Sequence, residues 1–506
     1  MLAWTIYLSF AGALISALLP KGKPVLARWF ALLIALSGLA LAVSGFIAGA
    51  GQGRTVLIDL PWVPAMGIHY LLAADGISRL LVLLTGLAAV AGVLFSWNIE
   101  LRTNEFFAFF LALIGGVYGV FLSFDLFLLF VFYEIAIVPK YFLIAIWGST
   151  RREYAAMKLA LYSFVGSAMV LIGLLASYSA SGSHSTSLID LAAAAHSGAL
   201  PAASQMWLFP LVFIGFGILA GMWPFHTWAP TGHVAAPTAA SMLLAGVVMK
   251  LGAYGCLRVA IGLFPHGLDP WGFSIIGLAS WRDVFALLAI IGIVYGALVA
   301  LAQTDFKFVI GYSSVSHMGF VLLGLMTLNQ IGITGAVLQM FSHGIIAGLL
   351  FGIVGRIVYE RTHTRQLGEL ETMHLSRRLP FAAWAFVIAG IASMGLPGFS
   401  GFVAEFQVLV GAWQAKPWWT LAAGVGIVVG VGYTWRALQK AFFSDAPQTP
   451  HGLEQEKAHP FAPITWPEVT GVALLASVSL VVGLYPRILL DTIEPAVKAL
   501  LAGGGQ

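Results

Sequence analysis

The chain has 506 residues, of which 60% are apolar and 9% are charged, with a mean hydropathy of +0.93 and a formal net charge of +4. Soluble domains carry about 25% charged residues, so this composition excludes a water-soluble enzyme, a disordered regulator and a disulfide-built secreted domain. A single cysteine, Cys256, excludes an internal disulfide and any site built from several thiolates. The positive charge does not indicate nucleic-acid binding, because the basic residues lie mostly in loops between apolar segments.

Apolar segments predict an all-α polytopic membrane protein. A helix needs about 20 apolar residues to cross the hydrocarbon core of a bilayer. The sequence predicts about fourteen such spans, numbered 1 to 14 in chain order. Their predicted bounds are 3–19, 27–48, 79–97, 106–122, 125–147, 155–178, 206–228, 236–262, 284–303, 308–328, 331–357, 382–413, 418–440 and 467–486.

Lys and Arg residues are distributed unevenly between the two ends of these spans. The loops that follow odd-numbered spans hold sixteen of them, whereas the opposite side holds Arg54, Arg79, Arg282, Lys416, Arg487 and Lys498. An excess of Lys and Arg marks the cytoplasmic side of a membrane protein. We therefore expect both termini on the outer, periplasmic side of a bacterial inner (plasma) membrane or an equivalent energy-transducing membrane.

Spans 4–8 and 9–13 can be read as two inverted five-helix repeats. The fourth span of each unit contains a helix breaker in mid-span, Trp223-Pro224 in span 7 and Gly395-Leu396-Pro397-Gly398 in span 12. Ser342-His343-Gly344 in span 11 is a third predicted break. Such breaks occur at transporter sites but also as packing kinks; their matching positions favour transport. The predicted domains are 1–105, 106–262, 284–441 and 442–506, the last being a loop and span 14.

Ionisable residues recur at mid-membrane depth. They are Glu134 in span 5, Lys250 in span 8, His317 in span 10, His343 in span 11 and Glu405 in span 12. Charged groups are expensive inside a bilayer and usually serve a function there, and histidine exchanges protons near neutral pH. The series therefore predicts a proton relay, although each group alone could be a structural ion pair or a hydrogen-bonded histidine.

Two further histidines and one glycine pattern have other interpretations. His226 and His233 follow the break in span 7 and are interpreted as gating or capping groups. Gly-Phe-Gly-Ile-Leu-Ala at 215–220 matches a dinucleotide pattern by letters only, because no strand precedes it. No nucleotide or redox site is predicted on this chain, so its energy must come from an ion gradient or from partner subunits.

Six phrases occur in an order that resembles a known family: F-Y-E-I-A-I-V-P-K-Y-F-L-I-A-I-W-G (132–148), W-P-F-H-T-W-A-P-T-G-H-V-A-A-P-T (223–238), L-L-A-G-V-V-M-K-L-G-A-Y-G (243–255), I-G-Y-S-S-V-S-H-M-G-F (310–320), Q-M-F-S-H-G (339–344) and L-P-G-F-S-G-F-V-A-E-F (396–406). The resemblance is to the antiporter-like subunits of respiratory complex I, the NADH:quinone oxidoreductase. Y-S-S-V-S-H-M-G-F and E-R-T-H-T-R (360–365) favour subunit M. A Mrp-type Na⁺/H⁺ antiporter subunit, or a membrane subunit of a ferredoxin- or hydrogenase-linked pump, is the alternative.

The resemblance implies one proton-pumping channel. Glu134 would be the helix-five glutamate that receives the signal of a neighbouring subunit, Lys250 the helix-eight relay lysine and Glu405 the terminal helix-twelve acid, with His317 and His343 on the linking path. No cofactor is expected on this chain; FMN, iron–sulfur clusters, NADH and quinone are expected on partner subunits. The expected partners are L- and N-type subunits, protons and the lipid bilayer, without nucleic acid.

The chain departs from the family at span 7. The family's helix-seven lysine is missing, because 206–222 contains no Lys or Arg and Leu219 stands near its place. Thr231 and Ala235 replace the usual acids of the following segment. Lys140 is instead gained in span 5, about 9 Å along the helix from Glu134 and roughly 120° around it, so no direct pair on one helical face is expected. Lys140 either replaces the missing lysine from another wall of the cavity or snorkels to the cytoplasmic end.

Overall fold

The computed structural model describes residues 1–274, 277–444 and 461–503, and most of the loop predicted within 442–506 lies outside them. Helices of eight or more residues form most of the described chain. They are α1 (Trp4–Leu18), α2 (Pro24–Ala48), α3 (Gly76–Phe95), α4 (Thr103–Leu122), α5 (Leu126–Trp147), α6 (Arg152–Ser181), α7 (Leu188–His196), α8 (Ala202–Ala220), α9 (Trp228–Ala235), α10 (Thr238–Ile261), α11 (Trp281–Ala302), α12 (Phe306–Met326), α13 (Gln330–Thr362), α14 (Pro380–Ser393), α15 (Ser400–Ala415), α16 (Pro417–Phe442), α17 (Trp466–Leu484) and α18 (Arg487–Leu501).

The described residues contain twelve helical segments that are long and apolar enough to cross a membrane, with α8 and α9 counted as one segment. The helices α1 and α14 are apolar but shorter. The prediction of an all-α polytopic membrane protein is thereby confirmed. The total of fourteen crossings, the inverted relation of the two units and the four domain bounds stay predictions.

Two helical breaks lie where the sequence predicts them. The helix α8 ends at Ala220, and a short turn of helix, Phe225–Thr227, follows before α9 begins. The helix α14 ends at Ser393 and α15 begins at Ser400. Gly221 and Gly395 adopt left-handed backbone conformations in these breaks, with φ of +80° and +69°. Glycine tolerates such a conformation because it has no Cβ.

The third predicted break is wrong. The helix α13 runs without interruption through Ser342, His343 and Gly344, and its irregular part is the later π-helical segment Gly352–Tyr359. Serine, histidine and glycine all keep the backbone N–H that proline lacks, so the helix can continue. Gly344 serves close packing instead, because a Cβ there would lie 2.6 Å from the carbonyl oxygen of Gly246 in α10.

A small hairpin and two short helices were not predicted. Strands β1 (Thr55–Val63) and β2 (Ile68–Ala74) pair antiparallel between α2 and α3, with Thr55 opposite Ala74. The helices α7 and α18 are also additional elements. A search for apolar spans of about 20 residues does not detect elements of this length.

Helices at the centre of the bundle carry the candidate site. Every residue in the most apolar part of α10 and of α13 is buried. In the corresponding parts of α3 and α12, 94% and 89% of the residues are buried. Only 33% of the corresponding part of α16 is buried. The helix α13 packs against α12, α15 and α10, and α10 also packs against α8. The interior therefore brings the first half of span 7, span 8 and spans 10–12 together.

Aspartates set the start of two central helices. Asp125 accepts hydrogen bonds from the backbone N–H groups of Phe127 and Leu128 at the start of α5. Asp305 does the same for Lys307 and Phe308 at the start of α12. Such N-caps satisfy donors that have no partner within the helix. We call the end of the bundle where α12 starts and α13 ends, with the Asp305–Arg365 ion pair, the basic face.

Candidate functional site

Lys250 and His343 form the centre of a buried polar path. The Lys250 side chain is buried in α10, and its Nζ lies 2.7 Å from Nδ1 of His343 in α13. The same amine donates a hydrogen bond to the carbonyl oxygen of Ala245. Ala245 belongs to a π-helical segment, Leu244–Val248, in which the regular ladder of backbone hydrogen bonds is altered. Such segments occur frequently at functional sites.

His317 and Glu405 form the other end of the path. Nδ1 of His317 in α12 lies 2.9 Å from Oε1 of Glu405 in α15. Gln339 in α13 donates a hydrogen bond of 3.1 Å to the same carboxylate oxygen, and Ser393 lies 3.4 Å from Nε2 of His317. The His317 imidazole and the Glu405 carboxylate are thus both held by side chains from neighbouring helices.

The two imidazoles connect these ends. The ring centroids of His317 and His343 are 5.5 Å apart, and Nε2 of His343 has no protein hydrogen-bond partner. Four of the predicted residues, Lys250, His343, His317 and Glu405, therefore lie in a continuous series. Because a proton passes between groups at hydrogen-bond distance or through one intervening water, this series has the chemistry of a relay.

The break between α14 and α15 makes room for the Glu405 carboxylate. A Cβ on Gly395 would lie 2.8 Å from Oε2 of Glu405, which is closer than real Cβ contacts allow. The left-handed conformation and the missing side chain at Gly395 therefore both favour the observed place of the carboxylate. This gives the predicted break in span 12 a direct structural relation to the site.

Glu134 and Lys140 lie apart from this series. Glu134 in α5 accepts a hydrogen bond from the Ser167 hydroxyl of α6. Lys140 is buried, its Nζ has no hydrogen-bond partner, and no ion pair within 4.0 Å joins it to Glu134. The expectation that the two do not pair directly is therefore met. The buried amine does not reach an exposed end of the helix, as snorkelling would require.

Lys140 shares one face of α5 with Tyr133. Seven residues correspond to almost two full turns, so both side chains lie on the same side of the helix. The Tyr133 ring packs edge-on against Phe216 of α8, with centroids 5.6 Å apart. Phe216 lies within one turn of Leu219, where the family's lysine is expected. The face of α5 that carries Lys140 thus contacts α8 at Tyr133.

His226 and His233 follow the break in span 7 as expected. Neither ring nitrogen of either residue has a hydrogen-bond partner. His226 packs beside Tyr295, and His233 packs beside Phe351, with centroids 5.2 and 5.1 Å apart. Each ring thus has an aromatic neighbour, and the interpretation as gating or capping groups stays a prediction.

Sequence reasoning missed Gln339 and Lys307. Gln339 lies in the quoted phrase Q-M-F-S-H-G, four residues before His343, and this spacing places both on one face of a helix. Lys307 was assigned to a loop but is buried at the start of α12. Its apolar flanks, Phe306 and Phe308, were the available signal.

The described part of the chain contains no group of three or more His, Cys, Asp or Glu side chains that could hold a metal ion. The site instead combines an amine, two imidazoles and a carboxylate in an apolar interior. Groups of these types can exchange protons. The expected absence of a cofactor on this chain stays a prediction.

Comparison with known proteins supports the same interpretation. The family described as NADH:quinone oxidoreductase/Mrp antiporter, transmembrane, matches residues 123–430. NADH-quinone oxidoreductase subunit M of Rhodobacter capsulatus is 35% identical, over 99% of this chain and 96% of the relative. The subunit M of Pseudomonas aeruginosa is 36% identical over 97% and 95%, respectively.

Solved structures show the same similarity to complex I and to Mrp antiporters. A chain of respiratory complex I from Thermus thermophilus with bound NADH superposes with a TM-score of 0.87 at 27% identity, with full coverage of both chains. A chain of the Mrp complex from Dietzia sp. shares the fold, with a TM-score of 0.81 at 21% identity over 100% of this chain and 99% of that one. The extent of the family match and of the subunit M similarity shows that this chain is a member of the NADH:quinone oxidoreductase/Mrp antiporter family of multi-pass membrane proteins.

Proposed function

We propose that this chain is the proton-translocating M-type membrane subunit of an NADH:quinone oxidoreductase. The observation that carries the proposal is the buried series Lys250–His343–His317–Glu405, which joins four helices through the interior. Similarity to curated M subunits over nearly the full chain supports this assignment. Electron transfer from NADH to quinone takes place in partner subunits, and this chain moves protons.

Each residue has a distinct part in the proposal. Lys250 receives a proton and passes it to His343, which hands it across the ring contact to His317. Glu405 accepts it at the end of the series, where Gln339 holds the carboxylate. Positioned acids and bases of this kind accelerate proton transfer by factors of about 10²–10⁴. Glu134 lies outside the series and serves as the acid whose charge reports the state of a neighbouring subunit.

Lys140 takes the place of the missing helix-seven lysine in this proposal. Its amine is buried without a hydrogen-bond partner, and Tyr133 on the same face of α5 contacts Phe216 of α8. An unpaired buried cation is costly, so such an amine is suited to gaining and losing a proton rather than to structural support. Lys140 would thus respond to Glu134 from α5 itself, and not from span 7 as in the rest of the family.

The partner subunits and the orientation in the membrane follow from the same assignment. FMN, iron–sulfur clusters, NADH and quinone belong to partner subunits, and L- and N-type antiporter-like subunits are the membrane neighbours. The excess of Lys and Arg assigns the basic face to the cytoplasm. Both termini then lie on the periplasmic side of the bacterial inner membrane.

A Mrp-type antiporter subunit, or a subunit of a ferredoxin- or hydrogenase-linked pump, is the competing function. The fold is shared with a Mrp complex and with the archaeal membrane-bound sulfane sulfur reductase, a respiratory membrane complex. Purification of the native complex through a tag on this chain distinguishes them. Flavin- and iron–sulfur-bearing partners with NADH:quinone activity support the proposal, whereas small membrane subunits without redox centres would replace it with the antiporter.

The pump itself is tested with Lys250→Met in the complex in its native membrane. We expect NADH-driven proton translocation to fall at least about tenfold, because the relay loses its central amine. Lys440→Met is the matched control, since Lys440 is half-exposed and pairs with Glu371 at 2.9 Å. Unchanged translocation in assembled Lys250→Met complex would contradict the proposed relay.

A further inference from the structure

A cleft at the basic face leads to the buried side chain of Lys307. Its volume is about 160 Å³, and a water molecule occupies roughly 30 Å³ of the liquid, so several waters fit. The ends of α3, α5 and α13 and the start of α10 form its walls. Polar groups along it include Ser96, Asn98, Ser149, Thr238, Glu360 and the Lys307 amine itself.

The Lys307 amine is not engaged in an ion pair. Its Nζ donates one hydrogen bond of 3.2 Å to the carbonyl oxygen of Ala236, at the end of α9. The nearest acid, Asp305, is paired with Arg365 at 3.2 Å and caps α12. Across the cleft, Glu360 is bound by Asn98 and Arg356. Both carboxylates are thus occupied, which leaves the amine directed at a carbonyl and a polar cleft.

His233 lies at the end of α9, three residues before Ala236, whose carbonyl oxygen accepts the hydrogen bond from Lys307. It is fully buried, and its ring packs beside Phe351 of α13. Neither of its ring nitrogens has a protein partner, although buried polar groups are ordinarily hydrogen-bonded. The backbone around it is fixed, because its carbonyl oxygen accepts a 2.7 Å hydrogen bond from Ser241. A buried imidazole can accept a proton at one nitrogen and release one from the other.

We infer that Lys307 is the proton-uptake residue of this chain and that His233 carries the proton from it to Lys250. A hydronium ion in the cleft gives its proton to the neutral Lys307 amine and leaves as water. The ammonium passes the proton to one His233 nitrogen, and the imidazolium passes a proton on to Lys250. Each step moves one proton without a change of redox state. This inference rests on the proposed function, since Lys250 must be the centre of the relay.

Two substitutions of Lys307 separate proton uptake from a structural role. Lys307→Arg retains a cation that can donate to the Ala236 carbonyl, but a guanidinium does not release its proton. Lys307→Met removes both properties. We expect NADH-driven proton translocation by the native complex to fall at least about tenfold in both variants, while Lys440→Met leaves it unchanged. Full translocation in Lys307→Arg would overturn the inference and leave Lys307 as a helix-end cap.

A second measurement applies if the Lys307 variants do not assemble. Asn98→Cys places a thiol in the cleft, and the native Cys256 is buried. A bulky, membrane-impermeant thiol reagent applied from the basic face should block translocation in this variant and leave the parent complex active. Complete labelling without loss of translocation would overturn the inference. Lys250→Met is measured in parallel. If Lys250→Met retains translocation, the proposed function fails. If Lys250→Met loses translocation but the Lys307 variants remain active, only the uptake path is refuted.

Discussion

The terminal region around Glu405 and the input region around Lys140 differ in how their ionisable groups are held. Glu405 contacts His317 and Gln339 at 2.9 and 3.1 Å, and Ser393 contacts the other side of the imidazole. In the input region, Glu134 has one recorded side-chain donor, Ser167, and Lys140 has no hydrogen-bond partner. The same chain thus holds one acid in a hydrogen-bond network and one buried base without a hydrogen bond.

The difference explains where the chain could depart from its family. A group held by several neighbours cannot move to another helix without leaving those neighbours unpaired, which is costly in a buried site. A lysine that acts alone can be supplied by a different helix, provided that its amine reaches the same cavity. The input region is therefore the part of the site in which a substitution such as Lys140 for a helix-seven lysine is physically tolerable.

The largest effect is expected at Glu405. Glu405→Gln keeps a hydrogen-bonding side chain beside Gln339 but removes the final proton acceptor. Proton translocation by the native complex should fall at least about tenfold, measured as NADH-driven acidification of inverted membrane vesicles. Glu105→Gln, at a half-exposed acid that pairs with Arg102, is the control. Normal translocation in Glu405→Gln would show that the path ends elsewhere.

Lys140 tests the input region directly. Lys140→Met should lower translocation by a similar factor, and adding Leu219→Lys in the same chain should restore part of it, because the amine then returns through α8. The assay is the same vesicle measurement with Lys440→Met alongside. If Lys140→Met pumps normally, the substitution hypothesis is refuted and the input site is degenerate.

Gly395→Ala should have an intermediate effect on the terminal region. The new Cβ meets the Glu405 carboxylate, and the left-handed backbone costs an alanine about 1–2 kcal/mol. We expect a roughly threefold to tenfold loss of translocation. Gly398→Ala is a matched control, because its φ of +101° is also unfavourable but a Cβ there meets no atom within 4 Å. Equal losses in both variants would attribute the effect to backbone strain alone.

Ser167→Ala should have an effect no larger than that of Gly395→Ala. It removes the hydroxyl that donates to Glu134, and a buried hydrogen bond contributes about 1 kcal/mol, which corresponds to roughly a fivefold change. The rate of NADH-driven translocation measures it, with Ser177→Ala, whose hydroxyl bonds only its own helix, as the control. A loss as large as that of Lys140→Met would mean that Ser167 is itself a relay group.

The sequence alone was sufficient to predict the membrane class, the two breaks at Trp223-Pro224 and Gly395–Gly398, and the residues of the buried series. These features depend on hydropathy, on the missing N–H of proline and on the cost of charge in a bilayer, which are local properties. The sequence phrases that resemble the family implied the roles of those residues. The missing lysine of span 7 was likewise visible without coordinates.

Only the tertiary structure decided which of these groups meet. The contacts of Lys250 with His343 and of His317 with Glu405 join residues 93 and 88 positions apart, so no local pattern specifies them. The burial of Lys307, the unpartnered ring of His233 and the direction of the Lys140 face also depend on neighbouring helices. The predicted break at Gly344 failed because this segment keeps its backbone N–H groups, and only the structure showed that Gly344 serves close packing against α10.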